Sequence, residues 1–94
     1  MSQLDPVIHA PNRLRICAML VTSAELDFKL IKLQLDVSDS VLSKQLKALE
    51  EVGYIETKKR NQNGRPRTWI SLTDKGQSAF ESHVTALQNI INIS

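Results

Sequence analysis

Between Pro11 and Val21 the apolar residues Leu14, Cys17, Ala18 and Val21 recur at three- and four-residue intervals, and Ile16 and Leu20 widen the stripe. This spacing predicts a core helix. Proline suits its first turn, where a backbone N–H would be unpaired anyway. Arg13 and Arg15 fall off the stripe and are expected to stay in water. Ser23, Ala24, Glu25 and Leu26 interrupt the pattern before Asp27, which is placed to cap a short helix over Phe28–Leu35 whose apolar side is Leu30, Ile31 and Leu35. Asp36 and Val37 turn the chain. Ser38 is the next capping residue, with Asp39 in the first turn where the helix dipole favours a carboxylate. The helix it opens, over about 38–52, carries Leu42, Leu46 and Leu49 at i, i+4 and i+7, and Gly53 follows where a left-handed cap ends a helix. Stepping about 100° per residue from Leu42 puts Ser40, Lys44, Lys47 and Glu51 opposite the core, Ser43 on the flank and Gln45 nearer the core boundary.

After Gly53 the period changes to two. Residues 54–60 and 68–72 read as strands, separated by Asn61-Gln62-Asn63-Gly64. Asn-Gly tolerates positive φ at both residues, so the runs should pair as an antiparallel hairpin over about 54–72. Pro66 cannot donate to a ladder and belongs at an edge. Trp69 faces away from Ile70 and Leu72 and reads as a packing residue. Thr73 then caps a last helix over about 74–92, in which Phe80, Val84, Leu87 and Ile91 form a heptad-like seam. With Leu4, Val7 and Ile8 near the start, these surfaces exceed what one small core needs, and burying them between two copies would make a homodimer.

Composition narrows the possibilities. Ninety-four residues, 41% hydrophobic and 23% charged with a mean hydropathy of −0.20, suit a single globular domain over residues 1–94. The start, Met1-Ser2-Gln3-Leu4-Asp5-Pro6, has no basic flank or apolar run, so neither a secretion signal nor a membrane anchor is expected. Cys17 is the lone cysteine, which fits a reducing cytoplasm. It lies apart from His9 and His83 without ligand spacing, so no metal or other cofactor is expected. Serine, histidine and acid are scattered, no glycine-rich phosphate cradle exists, and an enzyme is not expected.

Charge adds the decisive asymmetry. The net charge of +2 is mild, but residues 58–67 hold five basic side chains and no acid, whereas the remaining positions hold seven basic residues against ten acidic. The order helix, helix, tight turn, helix, basic hairpin, helix is the layout of a winged helix-turn-helix: mainly α with a two-stranded β-hairpin, flanked by N- and C-terminal dimerisation segments. In that layout the helix after the turn lies in the major groove.

The run Leu35-Asp36-Val37-Ser38-Asp39-Ser40-Val41-Leu42-Ser43-Lys44-Gln45-Leu46-Lys47-Ala48-Leu49-Glu50-Glu51-Val52-Gly53-Tyr54-Ile55-Glu56 resembles the recognition-helix signature of small MarR/ArsR-like winged-helix regulators of bacteria and archaea. The resemblance continues through Gly64-Arg65-Pro66-Arg67-Thr68 and Ser71-Leu72-Thr73-Asp74-Lys75-Gly76. It reaches back to Leu4-Asp5 and to Ile8-His9-Ala10-Pro11-Asn12-Arg13-Leu14. It implies a homodimeric regulator of transcription bound to double-stranded DNA, and leaves room for an effector whose chemistry the sequence does not specify. The cysteine pair common at the recognition helix of ArsR-type metal sensors has no counterpart here. Ser40, Ser43, Lys44, Gln45 and Lys47 are the candidate recognition-helix contacts, with lysine and serine able to bond either base edges or phosphates. Lys58, Lys59, Arg60, Asn63, Arg65 and Arg67 are the wing candidates. Gly64-Arg65-Pro66-Arg67 also resembles the core of a minor-groove AT-hook, so Arg65 is expected either in a narrow minor groove or on phosphate. The rival function is a winged-helix module that docks on protein.

Overall fold

The computed structural model describes residues 3–93. Its elements are α1 (Pro11–Val21), β1 (Leu26–Asp27), α2 (Phe28–Leu35), α3 (Asp39–Glu51), β2 (Ile55–Gln62), β3 (Arg65–Leu72) and α4 (Asp74–Ile93). The hairpin is part of a three-stranded antiparallel sheet in the order β1-β3-β2, with Leu26 opposite Ile70 and Asp27 opposite Trp69. Two residues are too few to display a period of two, which is why β1 reads in the sequence only as an interruption. The hairpin strands are longer than expected because its loop shrinks to Asn63 and Gly64, at φ 53° and 77°. Both lie in the left-handed region that a two-residue type I′ turn demands. Pro66 stands opposite Asn61. At that level β1 has already ended, so the other side of β3 is an open edge and no ladder bond is lost.

One core gathers Ile16, Cys17 and Leu20 of α1, Ile31 and Leu35 of α2, Leu42, Leu46 and Leu49 of α3, and Ile55 and Ile70 of the sheet. The caps expected for α2 and α3 form: Asp27 accepts from the Lys29 amide and Ser38 from the Val41 amide. Asp36, at φ 55°, ends α2 in a left-handed turn that leads directly into α3. Two expectations for α1 change. Its buried direction falls between Ile16, Cys17 and Leu20, which carries Ala18 to the exposed far side. Arg13 is not a free solvent group; its guanidinium donates to Val7 O and to Gln45 Oε1.

The N-terminal segment is bound into the subunit. Ile8, read from the sequence as a dimerisation residue, is fully buried in the core, and Val7 packs against it. Asp5 organises the segment: Oδ1 accepts from the Val7 and Ile8 amides, and Oδ2 accepts from the Tyr54 hydroxyl at 2.6 Å. Burial alone would raise the Asp5 carboxyl, but the Tyr54 hydroxyl and the two amides outweigh it and hold the group below its ordinary value. That hydrogen bond, together with burial, pushes Tyr54 up to about 12. The Asp5 amide donates to Nδ1 of the buried His83 at 3.0 Å, which leaves the proton of the neutral ring on Nε2, 3.4 Å from Nδ1 of His9. Cys17 is fully buried, and burial, reinforced by the Asp5 charge, pushes its thiol up to about 11.

Helix α4 starts against the turn that ends α3. Thr73 Oγ1 donates to Gly53 O and accepts from the Gly76 amide, while the Thr73 amide donates to Tyr54 O. Gly76 permits this approach, since a Cβ there would lie 2.0 Å from Tyr54 O and 3.0 Å from Leu72 Cδ1. Gly76→Ala should therefore lower stability by about 1–3 kcal/mol, read from denaturant unfolding, through overpacking against backbone that cannot yield.

Burial, and then the neighbouring His9, lower the His83 pKa below its ordinary 6.5, with the Asp5 charge opposing. A neutral His83 thus contributes stability that is complete above pH 6.5 and is lost as the pH falls through the lower folded value. The unfolding midpoint should drop between about pH 7.5 and about pH 5. In His83→Asn, whose Oδ1 can take over the acceptor role without titrating, that pH dependence should flatten.

Candidate nucleic-acid interface

Helix α3 offers two different flanks. Ser40, Ser43, Lys44 and Lys47 are exposed on the side turned from the leucine strip. Ser40 Oγ lies 3.2 Å from Ser38 Oγ, and Asp39 pairs with Lys32 of α2 at 2.7 Å, fastening the helix start to its neighbour. Gln45 is placed apart from that group. It is half-buried toward α1, and its Oε1 accepts from Arg13 Nη1 at 2.9 Å.

The strand register sorts the wing residues by face. Thr57, Lys59 and Asn61 alternate with Lys58, Arg60 and Gln62, and are matched across the ladder by Ile70, Thr68 and Pro66 against Trp69, Arg67 and Arg65. On the face that carries Trp69, Arg60 pairs with Glu25 and stacks 4.9 Å over the indole ring, and Arg67 Nη1 bonds Asp27 Oδ2 at 2.8 Å. Two of the five basic side chains of the wing are therefore already held by acids of the α1–α2 connection. Arg67 is held this way and Pro66 lies inside a paired strand, so Gly64-Arg65-Pro66-Arg67 is not the free extended strand of an AT-hook. Among the described residues, Lys44, Lys47, Lys58, Lys59 and Arg65 have no side-chain hydrogen bond or ion pair. Asn63 holds the hairpin tip and is exposed.

Between α3 and the inner face of the wing runs a groove of about 530 Å³. Phe28 and Leu46 form its apolar floor, while Ser43 and Lys47 from α3 face Lys59 and Thr68 from the wing across it. Glu50 closes one end, its carboxylate accepting from Thr57 Oγ1 at 2.8 Å. One lysine and one hydroxyl on each wall give a lining that can neutralise and hydrogen-bond a phosphodiester backbone. A smaller hollow of about 280 Å³ lies on the other face, against Glu25, Arg60, Asn61, Gln62 and Trp69.

The sequence reading missed the roles of Glu25 and Asp27 as partners of the wing arginines, and that of Phe28 in the groove floor. The one local signal was Asp27, visible as a cap, whose second oxygen is the one that holds Arg67. His9 and His83 do meet in space, but among the described residues no group of three or more metal-ligating side chains forms. No helix of the described residues is long and apolar enough to cross a membrane.

Comparison with known proteins agrees with this geometry. Residues 12–91 match the winged helix DNA-binding domain family. An uncharacterized protein of Methanocaldococcus jannaschii is 39% identical over 78 residues, covering 83% of this chain and 85% of that one. Among solved structures, a transcriptional regulator homologue of Pyrococcus horikoshii OT3 superposes with a TM-score of 0.86 at 28% identity, over 92% of this chain and 85% of that chain. Overoxidized AbfR bound to DNA gives a TM-score of 0.75 at 25% identity, over 85% of this chain and 58% of that chain. The match over nearly all of α1 to α4, on a fold with the strand and helix order derived above, makes this chain a member of the winged helix DNA-binding domain family, similar to a transcriptional regulator homologue of known structure.

Proposed function

We propose that the protein is a sequence-specific regulator of transcription that binds double-stranded DNA in the cytoplasm as a homodimer on a pseudo-palindromic operator. The observation that carries this reading is a set of cations that, among the described residues, have no side-chain hydrogen bond or ion pair: Lys47 of α3 and Lys59 of the wing on opposite walls of the groove, with Lys44 on the same rigid helix and Lys58 and Arg65 on the wing's other face. The helix supplies base contacts from Ser40, Ser43, Lys44 and Lys47, and the wing tracks the backbone or minor groove with Lys58, Lys59, Asn63 and Arg65. Arg60 and Arg67 add to the positive field of the wing from its other face while remaining tied to Glu25 and Asp27. The Pyrococcus horikoshii relative and the DNA-bound AbfR structure support the same assignment by similarity. It works by occupying DNA, with no chemical step.

The dimer reading rests on α4. Phe80 packs on the subunit's own core and Val84 and Leu87 are half-buried, but Ile91 is 68% exposed near the helix end. An apolar surface in this place, with Leu4 of the N-terminal segment also half-exposed, is suited to a second copy. Pairing about a two-fold axis would set two recognition helices about one helical turn of DNA apart, roughly 10 bp.

Two experiments test this. Binding isotherms at several salt concentrations should show Lys44→Ala losing about 1–3 kcal/mol on the preferred duplex with a smaller loss on random duplex. Arg65→Ala should weaken every sequence and reduce the salt slope by about one. If both variants matched the wild type on all duplexes, the face would be off the DNA and a protein-docking role would take its place. Sedimentation of Ile91→Asp and Leu87→Asp should give monomers with reduced operator affinity. Dimeric, fully active variants would mean that the two copies meet elsewhere or not at all.

A further inference from the structure

Helix α3 is held in the core by Leu42, Leu46 and Leu49, all on one strip. Apolar contact of this kind is non-directional and resists sliding or rotation only through shape. The other side-chain links between α3 and its surroundings lie at its ends, the Asp39–Lys32 pair at the start and the Glu50–Thr57 bond near the finish. Among the described residues, the middle of the helix, where Ser43, Lys44 and Lys47 are carried, has one directional side-chain tie, from Gln45 to Arg13.

Arg13 is built to set an angle. Its guanidinium is planar and purely a donor, so the amide of Gln45 must turn its oxygen toward it and its NH₂ away. The same guanidinium donates through Nε to Val7 O, in the turn that Asp5 fixes by capping the Val7 and Ile8 amides. That turn is in turn anchored to α4 by the Asp5–His83 bond and to the turn between α3 and β2 by Tyr54. One side chain thus refers the middle of the recognition helix to a frame made of α1, the N-terminal turn and α4. The angle matters because a rotation of about 10° moves a side-chain base at the roughly 6 Å radius of a helix by about 1 Å. Directional contacts to base edges tolerate only about half that displacement.

We infer that Arg13 is a positioning residue for DNA recognition, which by holding Val7 O and Gln45 Oε1 together sets the rotation of α3 and so the aim of Lys44 and its neighbours at base edges. This rests on the DNA-binding reading above and deepens it. It also moves Gln45 from the reading face to the support of that face. Because Nε and Nη1 point into the protein, Arg13 supplies its effect without touching phosphate, which separates it in kind from the lysines of the groove.

The test is a double-mutant cycle with Arg13→Met, Gln45→Met and the double variant, assayed by fluorescence anisotropy on the duplex enriched by in vitro selection and on random duplex, at several salt concentrations. Each single variant should lose about tenfold on the selected duplex, keep wild-type affinity for random duplex, and keep the wild-type salt slope; the double should lose no more than either single. Arg13→Lys, which can restore one of the two bonds, should recover part of the loss. Thermal unfolding of each variant shows that it is folded at the assay temperature, and should Arg13→Met be unfolded, Arg13→Lys and Gln45→Met carry the same comparison. The inference fails if the folded variants keep the wild-type ratio of selected to random affinity, if losses in the double variant simply add, or if Arg13→Met lowers the salt slope by about one, which would place the guanidinium on phosphate. A wild-type protein that does not discriminate between the duplexes would instead sink the DNA-binding reading itself.

Discussion

Burial of Leu42, Leu46 and Leu49 on one side of α3 is the constraint from which the rest of the architecture follows. Each buried leucine contributes about 1.5–3 kcal/mol relative to exposure, enough to fix which side of the helix faces inward. Everything polar on α3 is then committed to the outside or to a flank. The α2–α3 turn, closed by the left-handed Asp36, brings α2 across the helix start, and Gly53 reverses the chain so that β2 can run beside its end. The groove is the space these two reversals leave between helix and wing.

Charge in the wing is subdivided more finely than its net value suggests. Glu25 and Asp27 hold Arg60 and Arg67 by exposed ion pairs that add little to stability. Their effect is geometric, because they tie the two long strands of the hairpin to the α1–α2 connection. A two-stranded ribbon projecting from a core is otherwise marginal. The stacking of Arg60 on Trp69 stiffens the same face, leaving the unpaired lysines on a wing whose base is held in place.

What could be read from the sequence was local. Capping by Asp27 and Ser38, the leucine strip, the Asn63-Gly64 turn and the order of helices and hairpin each leave a signature within a few residues, and each appears in the structure. What could not be read depends on chain segments that meet from far away. In the sequence Ile8 reads as spare because no neighbour along the chain needs it, yet the core closes over it. Asp5 meets His83 across 78 positions, and Arg13 meets Gln45 across 32, so neither could be inferred from spacing. Among the candidate contacts, the exposed serines and lysines of α3 stand where a helical projection puts them. The partners of Arg60, Arg67 and Gln45 were invisible because a projection shows direction and not company.

The position of Cys17 has a use beyond packing. Thiol reagents attack the thiolate, and this thiol is both shut away from solvent and held protonated at neutral pH. It reacts only when α1 parts from the core around it. The rate at which a small disulfide reagent modifies Cys17 therefore counts openings of that core, so the protein carries its own clock for local unfolding, placed in the core that α3 shares and readable without adding a label.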